Sequence, residues 1–181
     1  KIGDAILTPQ KVSASEICLN LSLLSTEEVD SLRAGIQSLQ VLHSIPKHSP
    51  LEPDRAMGSN VMPFVLCPTV VGEVEIIDIW SNEDDLYSAE VRVQVDLTVG
   101  KSQRVLMFLN QVSSNNPTAY IFMAKSRRGN TDKVTFPILN VEPGEYLVRV
   151  QIDGAESPLV VDMNAQSETC DRYVAPTLVF G

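Results

Sequence analysis

The sequence predicts an all-β protein built from sandwiches, and three observations predict it. Glu90-Val-Arg-Val-Gln-Val-Asp-Leu-Thr-Val99 alternates polar and apolar over ten residues, which sets Val91, Val93, Val95, Leu97 and Val99 toward a core. Tyr146, Val148, Val150 and Ile152 repeat that period and run into Asp153-Gly154, a dipeptide suited to the positive φ angles of a tight hairpin turn. Strand-like runs also recur at spacings near ten residues, separated by Gly, Pro, Asn and Ser, as in immunoglobulin-like sandwiches.

In chain order, the opening Lys1-Ile-Gly-Asp-Ala-Ile-Leu7 reads as a strand and hairpin edge. The first residue is not Met, so the chain is expected to be a piece of a longer protein with its first domain cut. A second strand is expected at 16–23. Ser25-Thr-Glu-Glu28 then has capping-box spacing, with Val29 and Leu32 on one side and Gly35 as a stop, which predicts a turn or two of helix. Strands at 36–43 and 61–70 flank residues 44–60, where Pro46, Pro50, Pro53 and Gly58 resist both helix and central strand.

Further strands are expected at 74–80, 103–111, 118–125 and 133–139, then a return through Pro158–Val161 and a last strand at 173–180. The expected organisation is therefore part of a first β-sandwich over 1–45, a Pro-rich seam over 46–58, and one complete immunoglobulin-like sandwich over 59–181.

Composition narrows the function. The chain of 181 residues is 44% hydrophobic and 20% charged, an ordinary balance for a globular protein. No apolar run approaches the ~20 residues of a membrane span, and no charged segment followed by an apolar one opens the chain. Cys18, Cys67 and Cys170 are odd in number and widely spaced, which argues against a disulfide framework or a zinc site and fits a reducing compartment. There the acceptor pattern Asn20-Leu-Ser22 would go unglycosylated.

Of the net charge of −9, much falls between Glu73 and Asp96, where Glu73, Glu75, Asp78, Glu83, Asp84, Asp85, Glu90 and Asp96 face a single base, Arg92. Such a surface repels a phosphate backbone, so nucleic acid is not an expected partner. Lys125, Arg127 and Arg128 are the basic cluster, readable as a solvated hairpin loop or as a docking patch for an acidic partner.

Catalytic patterns are missing from the sequence. His43 and His48 lie at a strand end and in the seam, no G-x-S-x-G elbow occurs, and His43, His48 and Asp54 match no standard metal-ligand spacing. Asn82-Glu-Asp-Asp85 offers carboxylates but lacks the D-x-D-x-D-G spacing of a calcium loop, so it reads as a solvated turn and a candidate contact loop. The insert Met163–Arg172 is a second candidate. Tyr146, just after Pro143-Gly144, is either a corner tyrosine bonded back to the preceding turn or a plain edge or core residue, and Trp80 reads as core or rim. No cofactor and no small-molecule substrate is expected.

The run Leu32-Arg-Ala-Gly-Ile-Gln-Ser-Leu-Gln-Val-Leu-His43, then Arg55, then Ser59-Asn60-Val-Met-Pro-Phe64-Val-Leu-Cys-Pro68 resembles the C-terminal immunoglobulin-like region of the tail-terminator, or cap, family of contractile injection systems, which are phage-tail-like particles. The ending, with Pro143-Gly-Glu-Tyr146, Val148-Arg-Val150, Asp153-Gly154, Glu156-Ser-Pro158 and Pro176, is similar to that family's ending too. The resemblance implies that the first part is IPT/TIG-like. It also implies a non-catalytic adaptor projecting from the capped end of the sheath and tube, in a cytoplasmic particle. Sheath and inner-tube subunits or an anchoring partner would be its contacts, and self-association into a ring would rest on an N-terminal terminator domain that this sequence lacks. The acidic stretch 73–85 and the insert 163–172 depart from the family pattern. A carbohydrate-binding or adhesion module and the accessory sandwich of a secreted hydrolase are the other two readings.

Overall fold

A computed structural model describes residues 1–46, 55–112 and 116–181. The seam residues His48, Pro50, Pro53 and Asp54 lie outside the described residues. Among those described, the strands are β1 (Lys11–Val12), β2 (Ile17–Cys18), β3 (Gly35–Leu39), β4 (Leu42–Ile45), β5 (Arg55–Gly58), β6 (Met62–Leu66), β7 (Val70–Ser81), β8 (Tyr87–Val99), β9 (Val105–Gln111), β10 (Ala119–Met123), β11 (Thr131–Val141), β12 (Gly144–Ile152), β13 (Ala155–Glu156), β14 (Val160–Val161), β15 (Tyr173–Ala175) and β16 (Thr177–Phe180). A short helix, α1 (Thr26–Ser31), and a 3-10 turn at Leu21–Leu23 complete the set.

Two antiparallel sheets make the sandwich. One has the order β11-β8-β7; the other runs β10-β9-β12-β13, with β16 also paired to β12. The chain therefore crosses from β8 to β9, returns from β10 to β11 and crosses again to β12, the Greek-key connectivity of an immunoglobulin-like sandwich. Alternation explains why the sheets face each other. Val91, Val93, Val95, Leu97 and Val99 of β8, Val134, Phe136 and Ile138 of β11, Met107 and Leu109 of β9, and Tyr146, Val148, Val150 and Ile152 of β12 are all buried in one cluster. Truncating such a side chain, Phe136 for example, costs about 3–5 kcal/mol.

Residues 1–66 form smaller pieces around this body. Ser25 accepts from the Glu28 backbone N–H while Glu28 accepts from that of Ser25, so the capping box closes and starts α1. β3 pairs β6, β4 pairs β5, and β1 pairs β2. Ile2, Ala5, Leu32, Ala34 and Leu66 belong to the same buried cluster as the sandwich residues.

Several expected elements differ. Residues 1–7 form no strand: Ile2 and Ala5 exchange backbone hydrogen bonds at 2.9 Å around Gly3, whose φ is +54°. The expected 16–23 strand is only β2, because Asn20 caps the 3-10 turn that follows. The 36–43 strand splits at Gln40-Val41, where Val41 N–H donates to Ser59 Oγ and pairing passes from β6 to β5. β5 itself falls inside the expected seam. Gly35 does not stop the helix, which ends at Leu32; with φ +122° it opens β3.

The Asp153-Gly154 turn, φ +46° and +88°, returns into β13 rather than Pro158–Val161. Proline has no N–H for the ladder, and beside it Ser157 Oγ accepts from Val150 N–H. The last strand divides at Pro176, so that β15 pairs β14 and β16 pairs β12.

Candidate functional site

The acidic loop Asn82–Asp85 is the turn between β7 and β8. Asn82 Oδ1 accepts from the backbone N–H of both Asp84 and Leu86 at 3.0 Å, and Asp85 takes φ +57°. This is an Asx-type turn, in which the asparagine side chain replaces a backbone partner. Asn82 therefore shapes the loop, while Glu83, Asp84 and Asp85 are exposed at its tip. Trp80 lies just before it, half exposed at 50%, so it is a rim residue and not core.

The basic cluster does not act as one patch. Lys125 pairs with Glu90 of β8, and Arg128 is exposed. Arg127 is turned inward: its guanidinium donates to the carbonyls of Gly100 (3.1 Å) and Gln103. Burial lowers its pKa, with Asp153 opposing that effect by its charge. The expectation of a solvated loop or a joint docking patch thus fails at Arg127, because the 100–103 turn offers carbonyls that a five-donor guanidinium satisfies.

That turn belongs to a polar junction between residues 30–35 and the sandwich. Gln103 Nε2 donates to the Ala34 carbonyl at 2.8 Å and to Asp153 Oδ2 at 2.9 Å, and Gln103 Oε1 accepts from Gly100 N–H. Asp153 Oδ1 accepts from Arg104 N–H, while Thr98 Oγ1 donates to Asp30. Gly35 packs so closely that an added Cβ would lie 3.3 Å from the Asp153 Cβ. Asp153 was singled out in the sequence only for its turn; its second role, and that of Gln103, carry no sequence signal beyond their polarity.

At the opposite end of β12, Tyr146 is fully buried and its hydroxyl donates to the Glu142 carbonyl at 2.9 Å, closing a corner over the Pro143-Gly144 turn. Its ring meets Tyr120 at 5.9 Å and Phe180 at 6.1 Å, both edge-on. Burial raises the Tyr146 pKa. Just before the insert Met163–Arg172, Asp162 accepts from Thr169 Oγ1 and Asn164 N–H, and the hydroxyls of Ser167 and Thr169 lower its pKa. These bonds order the loop internally.

One shallow groove, of about 230 Å³, is lined by Arg149, Glu156, Ser157, Pro158, Leu159 and Tyr173. Ligand pockets run from ~300 Å³ upward. The Arg149 charge there is already taken by Glu156, and its guanidinium lies 5.7 Å from the Phe108 ring centre.

Residues 68–179 match a protein family described as a domain of unknown function (DUF8756). No curated protein and no solved structure matches the chain.

Proposed function

We propose that this chain, which belongs to the DUF8756 family, is a non-catalytic adaptor module of a tail-terminator (cap) protein in a cytoplasmic contractile injection particle. It would project from the capped end of the sheath and tube and make assembly or anchoring contacts. The observation that carries the reading is the pairing of β3 with β6. The two runs that resemble the cap family, 32–43 and 59–68, are separated in sequence, yet they meet in one ladder with Gly35 opposite Leu66 and Gln37 opposite Phe64. A motif in two halves is expected to pair if it is a single structural unit.

The junction at Gln103 and Asp153 supports the same reading, since it ties that ladder to the sandwich by direct hydrogen bonds. A rigid sandwich of paired strands suits a spacer whose loops and edges make contacts. The Asn82–Asp85 turn and the Met163–Arg172 insert are the loops offered for sheath, tube or anchoring partners.

Tagging the parent protein at this module and imaging the assembled particles tests the proposal. Label at one tip of each particle is the expected result. Label along the sheath, or particles that never carry the tag, overturns it.

A further inference from the structure

The outer face of the β11-β8-β7 sheet carries a pairing that folding does not favour. Val91, Val93 and Val95 of β8 turn inward and are buried, so Ser88, Glu90 and Arg92 turn outward. Register sets Trp80 opposite Ser88, Asp78 opposite Glu90 and Glu75 opposite Arg92 on that face. Two of these rows are explained: Arg92 forms an ion pair with Glu75, and Ser88 Oγ accepts from Asn140 N–H. Asp78 opposite Glu90 is not, because like charges set directly across a ladder are destabilising. Lys125 answers Glu90, but among the described residues no cation pairs with Asp78, Glu83, Asp84 or Asp85.

Beside that unmatched carboxylate stands the chain's one tryptophan. Trp80 follows Asp78 by two residues on the same face, about 7 Å along the strand, and half of its surface is exposed. Leu139, next to the Asn140 that bonds the small, buried Ser88, is exposed too, and Pro137 lies opposite Glu90. An aromatic centre with apolar neighbours and a charged rim is the anatomy of a protein–protein hot spot. Strand addition at the β7 edge does not account for it. Asp78 Oδ1 already takes Ile79 N–H at 3.0 Å, and two register shifts interrupt the strand.

We propose that this face docks a basic segment of a partner protein, with an arginine stacked on the Trp80 indole and paired with Asp78. Charge selects that occupant. The unmatched acids at Asp78 and at the 83–85 tip border the indole, and a guanidinium both stacks on an aromatic ring and bonds a carboxylate through two N–H groups. Its arrival compensates the unfavourable opposition of Asp78 and Glu90. The nearest bases do not stand in its way: Arg92 and Lys125 are held by Glu75 and Glu90, and Lys133 lies two rows further on, opposite Gln94. The inference rests on this face alone and not on the cap reading, which the tag position tests separately.

As the single tryptophan, Trp80 reports its own occupancy. A Trp-free peptide in which Arg alternates with Val, titrated into the full chain up to about 1 mM, should change the Trp80 emission saturably, and the change should fade as salt is raised. The same peptide with Gln for Arg should leave the emission unchanged. Asp78→Asn keeps an acceptor for Ile79 N–H but removes the charge. It should bind the Arg peptide about three-fold or more weakly while melting no lower than the parent. Trp80→Ala, whose binding is read by calorimetry, should lose the peptide with its circular dichroism spectrum unchanged. Glu145→Gln, on β12 of the other sheet, should bind as the parent does. No response to the Arg peptide, an equal response to the Gln peptide, or an Asp78→Asn variant that binds as tightly or melts lower would each overturn the proposal. So would emission that shifts with protein concentration alone, which gives the face to a second copy, or a response to cellopentaose in place of the Arg peptide, which gives it to a carbohydrate.

Discussion

Gln103 and Asp153 share a hydrogen bond of 2.9 Å, and the same Gln103 nitrogen holds the Ala34 carbonyl, so one side chain links the arm at 30–35 to the sandwich. Replacing Gln103 with Ala removes both bonds, together with the one that its Oε1 accepts from Gly100 N–H, and strands the Ala34 carbonyl. The expected loss is about 1–3 kcal/mol, read from the urea midpoint. Residues 30–40 should exchange amide hydrogens faster than β8 or β12. Uniform exchange across the chain would show that the junction does not hold the arm.

Gly35 and Gly72 both have positive φ, +122° and +72°, but only Gly35 is crowded, with the Asp153 Cβ in its path; nothing lies within 4 Å at Gly72. Gly35→Ala is therefore expected to destabilise by several kcal/mol, combining strain of about 1–3 kcal/mol with displacement of Asp153. Gly72→Ala carries the strain alone. Thermal melts of the two variants should rank in that order, and equal melts would refute the close approach.

Tyr146→Phe removes the 2.9 Å bond to the Glu142 carbonyl and the longer, 3.4 Å one with Thr118 Oγ1. A loss of about 1 kcal/mol, or a melting temperature lower by about 2–4 °C, is expected. Burial raises the Tyr146 pKa, so the folded state favours the neutral phenol. That contribution is complete below the unfolded tyrosine value and fades as pH rises from there through the folded one. The parent should accordingly lose stability more steeply than the Phe variant above about pH 10, as calorimetry at neutral and alkaline pH would show.

Hydrogen bonds from the Ser25 backbone and hydroxyl lower the Glu28 pKa. With the folded value depressed, its support for α1 is present above the unfolded glutamate value and lost as pH falls through the folded one. An NMR titration of the Glu28 side chain should give a midpoint below that of free glutamate, returning toward it in Ser25→Ala. An unshifted midpoint would mean that the capping box is open in solution.

The strand interiors were legible in the residues because alternation is a local signal. The buried faces of β8 and β12, the Asp153-Gly154 turn and the Ser25–Glu28 cap each need only a few consecutive residues to be specified. Ends and partners were not legible in the same way. Residues 1–7 read as a strand but fold as a turn at Gly3, and Arg55–Gly58, read as seam, gains strand character only because β4 lies beside it.

What the amino-acid order determined by itself was therefore the β class, the inward faces and the tight turns. Tertiary structure decided that Arg127 turns inward to the carbonyls of Gly100 and Gln103, and that Gln103 spans Ala34 and Asp153. The physical reason is that hydrophobic period is carried by neighbours along the chain, whereas a polar side chain takes its partner from whatever backbone the folded sheets bring within about 3 Å, and no local pattern encodes that distance.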